Sequence, residues 1–288
     1  MFPILKYFLF SGTKILIAGG RPREIEDFLS SYTLEVYFNK TSITKIEYKD
    51  LPNVPHSFSN AIFGSYQGRS VIISGVNSNG QCIEFDQEEY QVIPSLNVNR
   101  FRAASTFIQN KVVVAGGIGN GRLDSIEILD WDESNHGSQW IESPSRLPIK
   151  VVNHTLVTFN NNLYLIGGHD GSNALDTIWE GSFDKLSNKI TWVEMGLRLQ
   201  KKRSGHFSFV ISNQIIILGG YNVDDDFVEI IENNTLKQGP KVPFQLSTVS
   251  DQAVLDRKHR IIITSKNHGL IVYDHQKGIF TNYNNFKL

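Results

Sequence analysis

Read as alternating apolar and polar positions, the chain repeats one pattern: a short apolar run that stops at two glycines. It occurs at Ile15 to Gly20, Val112 to Gly117, Leu163 to Gly168 and Ile215 to Gly220. Two weaker copies lie at Val71 to Gly75, where Ser74 replaces the first glycine, and at Ile261 to Ser265, where Thr264 and Ser265 replace both. The first positions of the pairs are 19, 74, 116, 167, 219 and 264, giving separations of 55, 42, 51, 52 and 45 with a mean of 49. A period of that size marks a repeat architecture built from one supersecondary unit.

Each unit contains four strand signals. Thirteen residues before the first glycine stand His154 and His206 in β-prone runs, with Ala103 at the same phase. These runs, followed by Asn, Gly or Lys, predict a first strand and a tight turn into the apolar second strand. A third run follows the glycines in all six copies: Leu34-Glu35-Val36-Tyr37, Ile83-Glu84-Phe85-Asp86, Ile126-Glu127-Ile128-Leu129-Asp130, Ile178-Trp179-Glu180, Val228-Glu229-Ile230-Ile231-Glu232 and Ile271-Val272-Tyr273-Asp274. A fourth strand carries Trp140, Trp192, Tyr90 to Ile93 or Phe280 to Tyr283. Four strands repeated six times predict an all-β fold, a six-bladed β-propeller whose sheets bury both faces against their neighbours. The second strand is apolar on both faces because it is interior, and the glycines supply positive φ where it ends near the crowded axis. The whole chain, residues 1–288, is expected as one domain with blades near 1–52, 53–96, 97–147, 148–199, 200–244 and 245–288. No helical segments alternate with the strands, which argues against α/β folds.

The glycine pairs and downstream aromatics resemble the kelch repeat, clearest in the third to fifth units. The chain is most similar to the propeller portion of the kelch-like substrate adaptors. That resemblance implies a module that binds a partner protein as a scaffold or substrate receptor, linked to ubiquitin ligase adaptors. The BTB and BACK domains that join many such proteins to a cullin ligase are not in this sequence. Many family members close the ring by mixing terminal strands in one blade. Here the strands near Lys6 to Phe10 and Phe280 to Tyr283 fall in different blades, so closure is expected to rest on side-chain packing between blades one and six.

Charge selects no class of partner: 28 basic and 29 acidic side chains leave no field that favours nucleic acid or anionic membrane. The lone Cys82 permits no intrachain disulfide and fits a reducing, cytoplasmic setting. The apolar start, Met1 to Phe10, lacks a basic region and a cleavage site, and is read as part of the fold.

The chemistry searched for is largely missing. The eight histidines show no zinc spacing, and the Glu-x3-Asp-x3-His pattern of the iron-binding plant specifier propellers is absent. Cys82 reads as a small buried hydrophobe rather than part of a tyrosyl-cysteine cofactor like that of galactose oxidase. His154 and His206, at equivalent positions, read as a recurrent structural niche. Gly116 to Gly121 lacks the Gly-Lys-Ser/Thr ending of a phosphate loop and reads as a blade turn. Asp224-Asp225-Asp226 reads as a solvated run, and Trp131 as partly exposed. No cofactor and no metal are called for.

In kelch-like adaptors, the loops between the second and third strands and between successive blades form the peptide-binding face. By that resemblance the candidate partner-binding residues are Arg21, Arg23, Asn77, Arg122, His169, Asp170, Tyr221 and Asn222 on one set of loops. Arg100, Arg102, Arg203 and Ser204 belong to the other set. Arg100 and Arg203 each lie sixteen residues before the first glycine of their own pair. Arginines converging there would hold an acidic protein segment through bidentate, charge-assisted bonds. The alternative is an enzyme resembling the sialic-acid epimerases, also kelch propellers, with His169 and Asp170 as the available acid and base. A deep, closed cavity would favour the enzyme and a broad basin the binder.

Overall fold

A computed structural model of the protein describes residues 6–9, 14–18, 31–38, 43–55, 60–66, 69–76, 78–85, 89–131, 139–221, 223–248, 251–256, 258–265 and 267–283. Their regular structure is all strand, in six four-stranded antiparallel sheets and one two-stranded ribbon. From inner to outer strand, sheet one runs from Lys6–Leu9 to Ile43–Leu51 and sheet two from Ile62–Tyr66 to Tyr90–Ile93. Sheet three runs from Ala104–Ile108 to Ile141–Arg146, and sheet four from Thr155–Phe159 to Lys189–Arg203. Sheet five runs from Phe207–Ile211 to Thr235–Lys241, and sheet six from Asp251–Leu255 to Ile279–Tyr283. The ribbon, Ile118–Gly119 with Gly121–Arg122, is what the glycine-rich stretch after Gly117 forms.

The ring is held by apolar seams between consecutive sheets. Val71 and Ile73 meet Val112, Val114, Trp131 and Trp140 between sheets two and three. Val113 and Ile128 meet Leu163, Leu165 and Phe183 between three and four. Each fully buried Val, Ile or Leu contributes roughly 1.5–3 kcal/mol. Trp131 is buried rather than partly exposed, with its ring edge-on to Tyr66 at 5.7 Å. Polar stitches tie the inner strands together: Tyr66 to Ser105 at 2.6 Å, Thr106 to Thr158 at 3.0 Å and Thr155 to Ser208 at 2.7 Å.

Every four-stranded sheet is built from one continuous stretch of chain, interrupted only in sheet three by the ribbon, so no blade mixes strands from the two ends of the described chain. Lys6–Leu9 nevertheless lies beside both Ile62–Tyr66 and Asp251–Leu255, closing the ring of inner strands. Closure is made by side chains: Val36, Phe38, Ile43 and Ile46 of sheet one pack on Val254, Ile262, Leu270 and Val272 of sheet six. The Arg260 guanidinium adds a cation–π contact, 3.4 Å from the centre of the Phe38 ring.

In sheet six the pairing of the first two strands runs through both Thr264 and Ser265, opposite Gln252 and Asp251. Without glycines, nothing in that run fixed its phase to the residue.

Candidate functional site at the channel mouth

The glycine pairs explain how one sheet receives the next. Gly116 and Gly167 have φ of 65° and 55°. A Cβ on Gly116 would stand 2.8 Å from the Val151 carbonyl oxygen and 2.8 Å from the His154 ring. On Gly167 it would stand 2.7 Å from the Arg203 carbonyl oxygen and 2.9 Å from the His206 ring. The second glycine then donates its N–H to that same incoming carbonyl: Gly117 to Val151 at 2.9 Å and Gly168 to Arg203 at 2.8 Å. Glycine is required by the backbone of the following sheet and by the histidine that leads it.

Burial accordingly pushes His154 down to about 4 and His206 down to about 3, leaving both neutral near pH 7. Nε2 of His206 lies 3.0 Å from the Thr155 hydroxyl. Cys82 is buried, and desolvation pushes its thiol up to about 12. No group of three or more His, Cys, Asp or Glu side chains able to hold a metal occurs among the described residues.

The same logic corrects the assignment of two arginines. Arg100 and Arg203 are fully buried, and each clamps the sheet that follows it from inside. Arg100 donates to the carbonyls of Gly116 and Ser125 at 3.0 and 2.9 Å and to Glu127 at 2.8 Å. Arg203 donates to the Gly219 and Phe227 carbonyls at 2.6 and 2.9 Å, to Asp226 at 2.7 Å and to Glu229 at 2.9 Å. Their shared sixteen-residue offset aims each guanidinium at the carbonyl of the first glycine in its own pair. Asp226 is therefore a buried counter-ion and not part of a solvated acidic run. Ser204 is buried as well. None of the three can meet a partner without opening the sheet. Arg21, Arg23, Asn77 and Asn222 lie outside the described residues.

The remaining described candidates, exposed or half-buried, form two groups. Arg122 packs its guanidinium on the turn of sheet four, where a Cβ on Gly171 would fall 2.1 Å from its central carbon. In that turn His169 Nδ1 accepts the Gly171 N–H at 2.8 Å, and Asp170 accepts the N–H groups of Ser172 and Asn173 at 2.7 Å each. Those two backbone bonds, then the charges of His169 and Arg122, hold the Asp170 carboxyl below its ordinary range. Asp170 is an ionised turn brace.

The second group lines a cavity of about 520 Å³ along the axis. At its mouth a chain of backbone hydrogen bonds passes from sheet to sheet. Arg102 N–H donates to Asn60 at 3.2 Å, Asn153 to Arg102 at 2.9 Å, Gly205 to Asn153 at 2.8 Å and Thr248 to Gly205 at 2.8 Å. Asn60, Arg102, Asn153 and Gly205 all have left-handed backbones, with φ of 51°, 55°, 52° and 66°. Asn and Gly tolerate that region and arginine is not selected for it. Arg102 is exposed and is the only charged side chain among the described lining residues. Its charge reaches Tyr221, whose hydroxyl is raised by burial and countered by a hydrogen bond to Thr248. Deeper in, Ser65, Ser105, Thr155, Ser208 and Gln252 make the wall partly polar.

Of the candidates that lie among the described residues, the structure brings Arg102 and Tyr221 to this cavity. Asn60, Asn153, Thr248 and Gln252 were missed. The signal was present: Asn60, Arg102, Asn153 and Gly205 each stand fourteen residues before the first position of their pair.

A closed ring of four-stranded sheets around a lined axial cavity defines a β-propeller, and comparison with known proteins agrees. The family model for the kelch motif matches residues 151–180. Kelch-like protein 8 of Caenorhabditis elegans is 38% identical over 90 residues, covering 29% of this chain and 12% of that protein. Spermatocyte protein spe-26 of Caenorhabditis elegans is 27% identical over 120 residues, covering 41% of this chain and 20% of that protein. A probable serine/threonine-protein kinase of Dictyostelium discoideum is 26% identical over 122 residues, covering 41% of this chain and 9% of that protein. These alignments thus span a fifth or less of the curated relatives. The solved structure of YjhT superposes with a TM-score of 0.72 over 98% of this chain and 97% of that one, at 12% identity, a likeness of fold alone. Residues 151–180 thus carry a kelch motif within a chain whose fold is a β-propeller.

Proposed function

We propose that this propeller is a protein-interaction module that receives an acidic segment of a partner at the channel mouth, acting as a scaffold or substrate receptor in a reducing, intracellular setting. The observation that carries the proposal is Arg102. An exposed guanidinium, the one charged lining group among the described residues, stands over a partly polar cavity in a backbone conformation that favours Asn or Gly, and such outliers concentrate at binding sites. Around it Tyr221, Asn153, Thr248 and Gln252 offer the aromatic and hydrogen-bonding groups of a recognition surface. A binding role rather than an enzymatic one is supported by the lining: no carboxylate faces the cavity among the described residues, and both its histidines are held neutral by burial. A link to ubiquitin ligase adaptors, implied by the likeness to kelch-like proteins, belongs to the same proposal. The test is a photo-crosslinking residue at Gln252 in cells, with the same residue at exposed Lys237 as control. Crosslinks to a defined partner segment should form from Gln252 and disappear with Arg102→Glu. Equal yields from both positions, or indifference to Arg102→Glu, would remove the mouth from the account.

A further inference from the structure

The seam that closes the ring contains a second cavity, and its chemistry differs from that of the mouth. On sheet six alternate residues of the last three strands share one face: Arg260, then Val272 and Asp274, then Ile279, Thr281 and Tyr283. With Phe38 of sheet one opposite, these positions enclose about 390 Å³. Trp140 occupies the seam between sheets two and three, and Trp192 with Phe183 the seam between three and four. Among the described residues, sheet one brings no indole to its seam with sheet six.

The walls are amphipathic in a fixed sense. Phe38, Val272, Ile279 and Tyr283 supply apolar surface, and Ile279 is 53% exposed. The polar end carries Lys258, Arg260 and Lys277 against Asp274. Arg260 is committed to Asp256, with Nε 2.7 Å from the carboxylate, and Lys277 to Asp274 at 2.8 Å. Lys258 is exposed and forms no ion pair with a described carboxylate, so the end keeps one uncompensated positive charge. Concave sites of this size, with apolar surface beside convergent polar groups, suit small molecules.

We propose that this seam cavity binds a small amphipathic carboxylate, its acid group at Lys258 and Arg260 and its apolar body along Ile279, Thr281 and Tyr283. The proposal is independent of the channel mouth. A ligand so placed touches sheets one and six together and braces the ring where no strand is shared.

The test uses the full chain with 2-naphthoate, octanoate and the neutral 2-naphthylmethanol as probes, followed by calorimetry and by chemical-shift mapping. At least one acid should bind saturably with a dissociation constant of about 0.1–1 mM, and the alcohol about tenfold more weakly. Preference for naphthoate identifies an aromatic body and preference for octanoate an aliphatic one. Lys258→Glu should weaken the acid about tenfold. Thr281→Trp should fill the cavity and abolish binding, and since both positions are exposed, neither change threatens the fold. No saturable binding of either acid, binding unchanged by both variants, or shifts confined to the channel mouth would overturn the proposal.

Discussion

Replacing Arg203 by alanine should damage stability before it affects any partner. The guanidinium is fully buried and makes four hydrogen bonds, to two carbonyls and two carboxylates. Alanine leaves Glu229 and Asp226 in the interior without their cation, although Glu229 keeps the Gln200 N–H and Asp226 the Gly219 N–H. Breaking a buried pair by removing one partner costs about 3–5 kcal/mol. Lysine restores the charge but not the planar fork and should recover about half of that loss. Exposed Arg102 is the internal control, and its alanine variant should stay within about 0.5 kcal/mol of the parent. Urea unfolding followed by tryptophan fluorescence reads all three, with Trp179 and Trp192 reporting from the neighbouring sheet. A double variant, Arg203→Met with Glu229→Met, should show a coupling of at least about 1 kcal/mol. If Arg203→Ala lies within about 1 kcal/mol of the parent, the guanidinium is not serving as an interior clamp and the surface reading of this arginine returns.

Two further outcomes follow from the same packing. Gly167→Ala should destabilise by about 1–3 kcal/mol in thermal unfolding, because a Cβ at φ 55° meets the Arg203 carbonyl. Gly196→Ala, where a Cβ meets nothing, should be neutral or slightly stabilising. His154 and His206 have folded pKa values below the unfolded one near 6.5, so the unfolded chain binds more protons as pH falls. Stability should be flat above pH 6.5 and decline toward pH 4 by about 1 kcal/mol per pH unit for each histidine, and His206→Gln should flatten the decline. A melting temperature independent of pH across that window would count against burial of neutral imidazoles.

The strands and their order were legible because apolar runs, glycine pairs and the third-strand signature repeat with a shared phase. Ring closure by packing was legible from the same phase, since Phe280 to Tyr283 completes its own sheet and not that of Lys6–Leu9. The site was legible only in part. Offset counting found that Arg100 and Arg203 are equivalent, but spacing does not say which way a side chain points, and both turn inward to glycine carbonyls. The neighbouring offset held Arg102, the exception in a series of Asn and Gly. Asn153 shared that offset, whereas Thr248 was hidden because no glycine pair in the sixth unit fixes a position from which to count. In the sixth unit Thr264 and Ser265 carry no conformational constraint comparable to glycine, and the strand runs on through both.

The measurement that bears most directly on the account is selection of a random peptide library displayed on phage against the intact chain, followed by affinities of the selected peptides for the parent and for Arg102→Gln. Recognition at the channel mouth predicts sequences enriched in Asp and Glu. Their binding should weaken about tenfold in Arg102→Gln, as charge-assisted hydrogen bonds worth about 1.5–3 kcal/mol are lost, and should weaken further as salt is raised. Selected peptides without acidic residues, or equal affinity for the parent and Arg102→Gln, would contradict it.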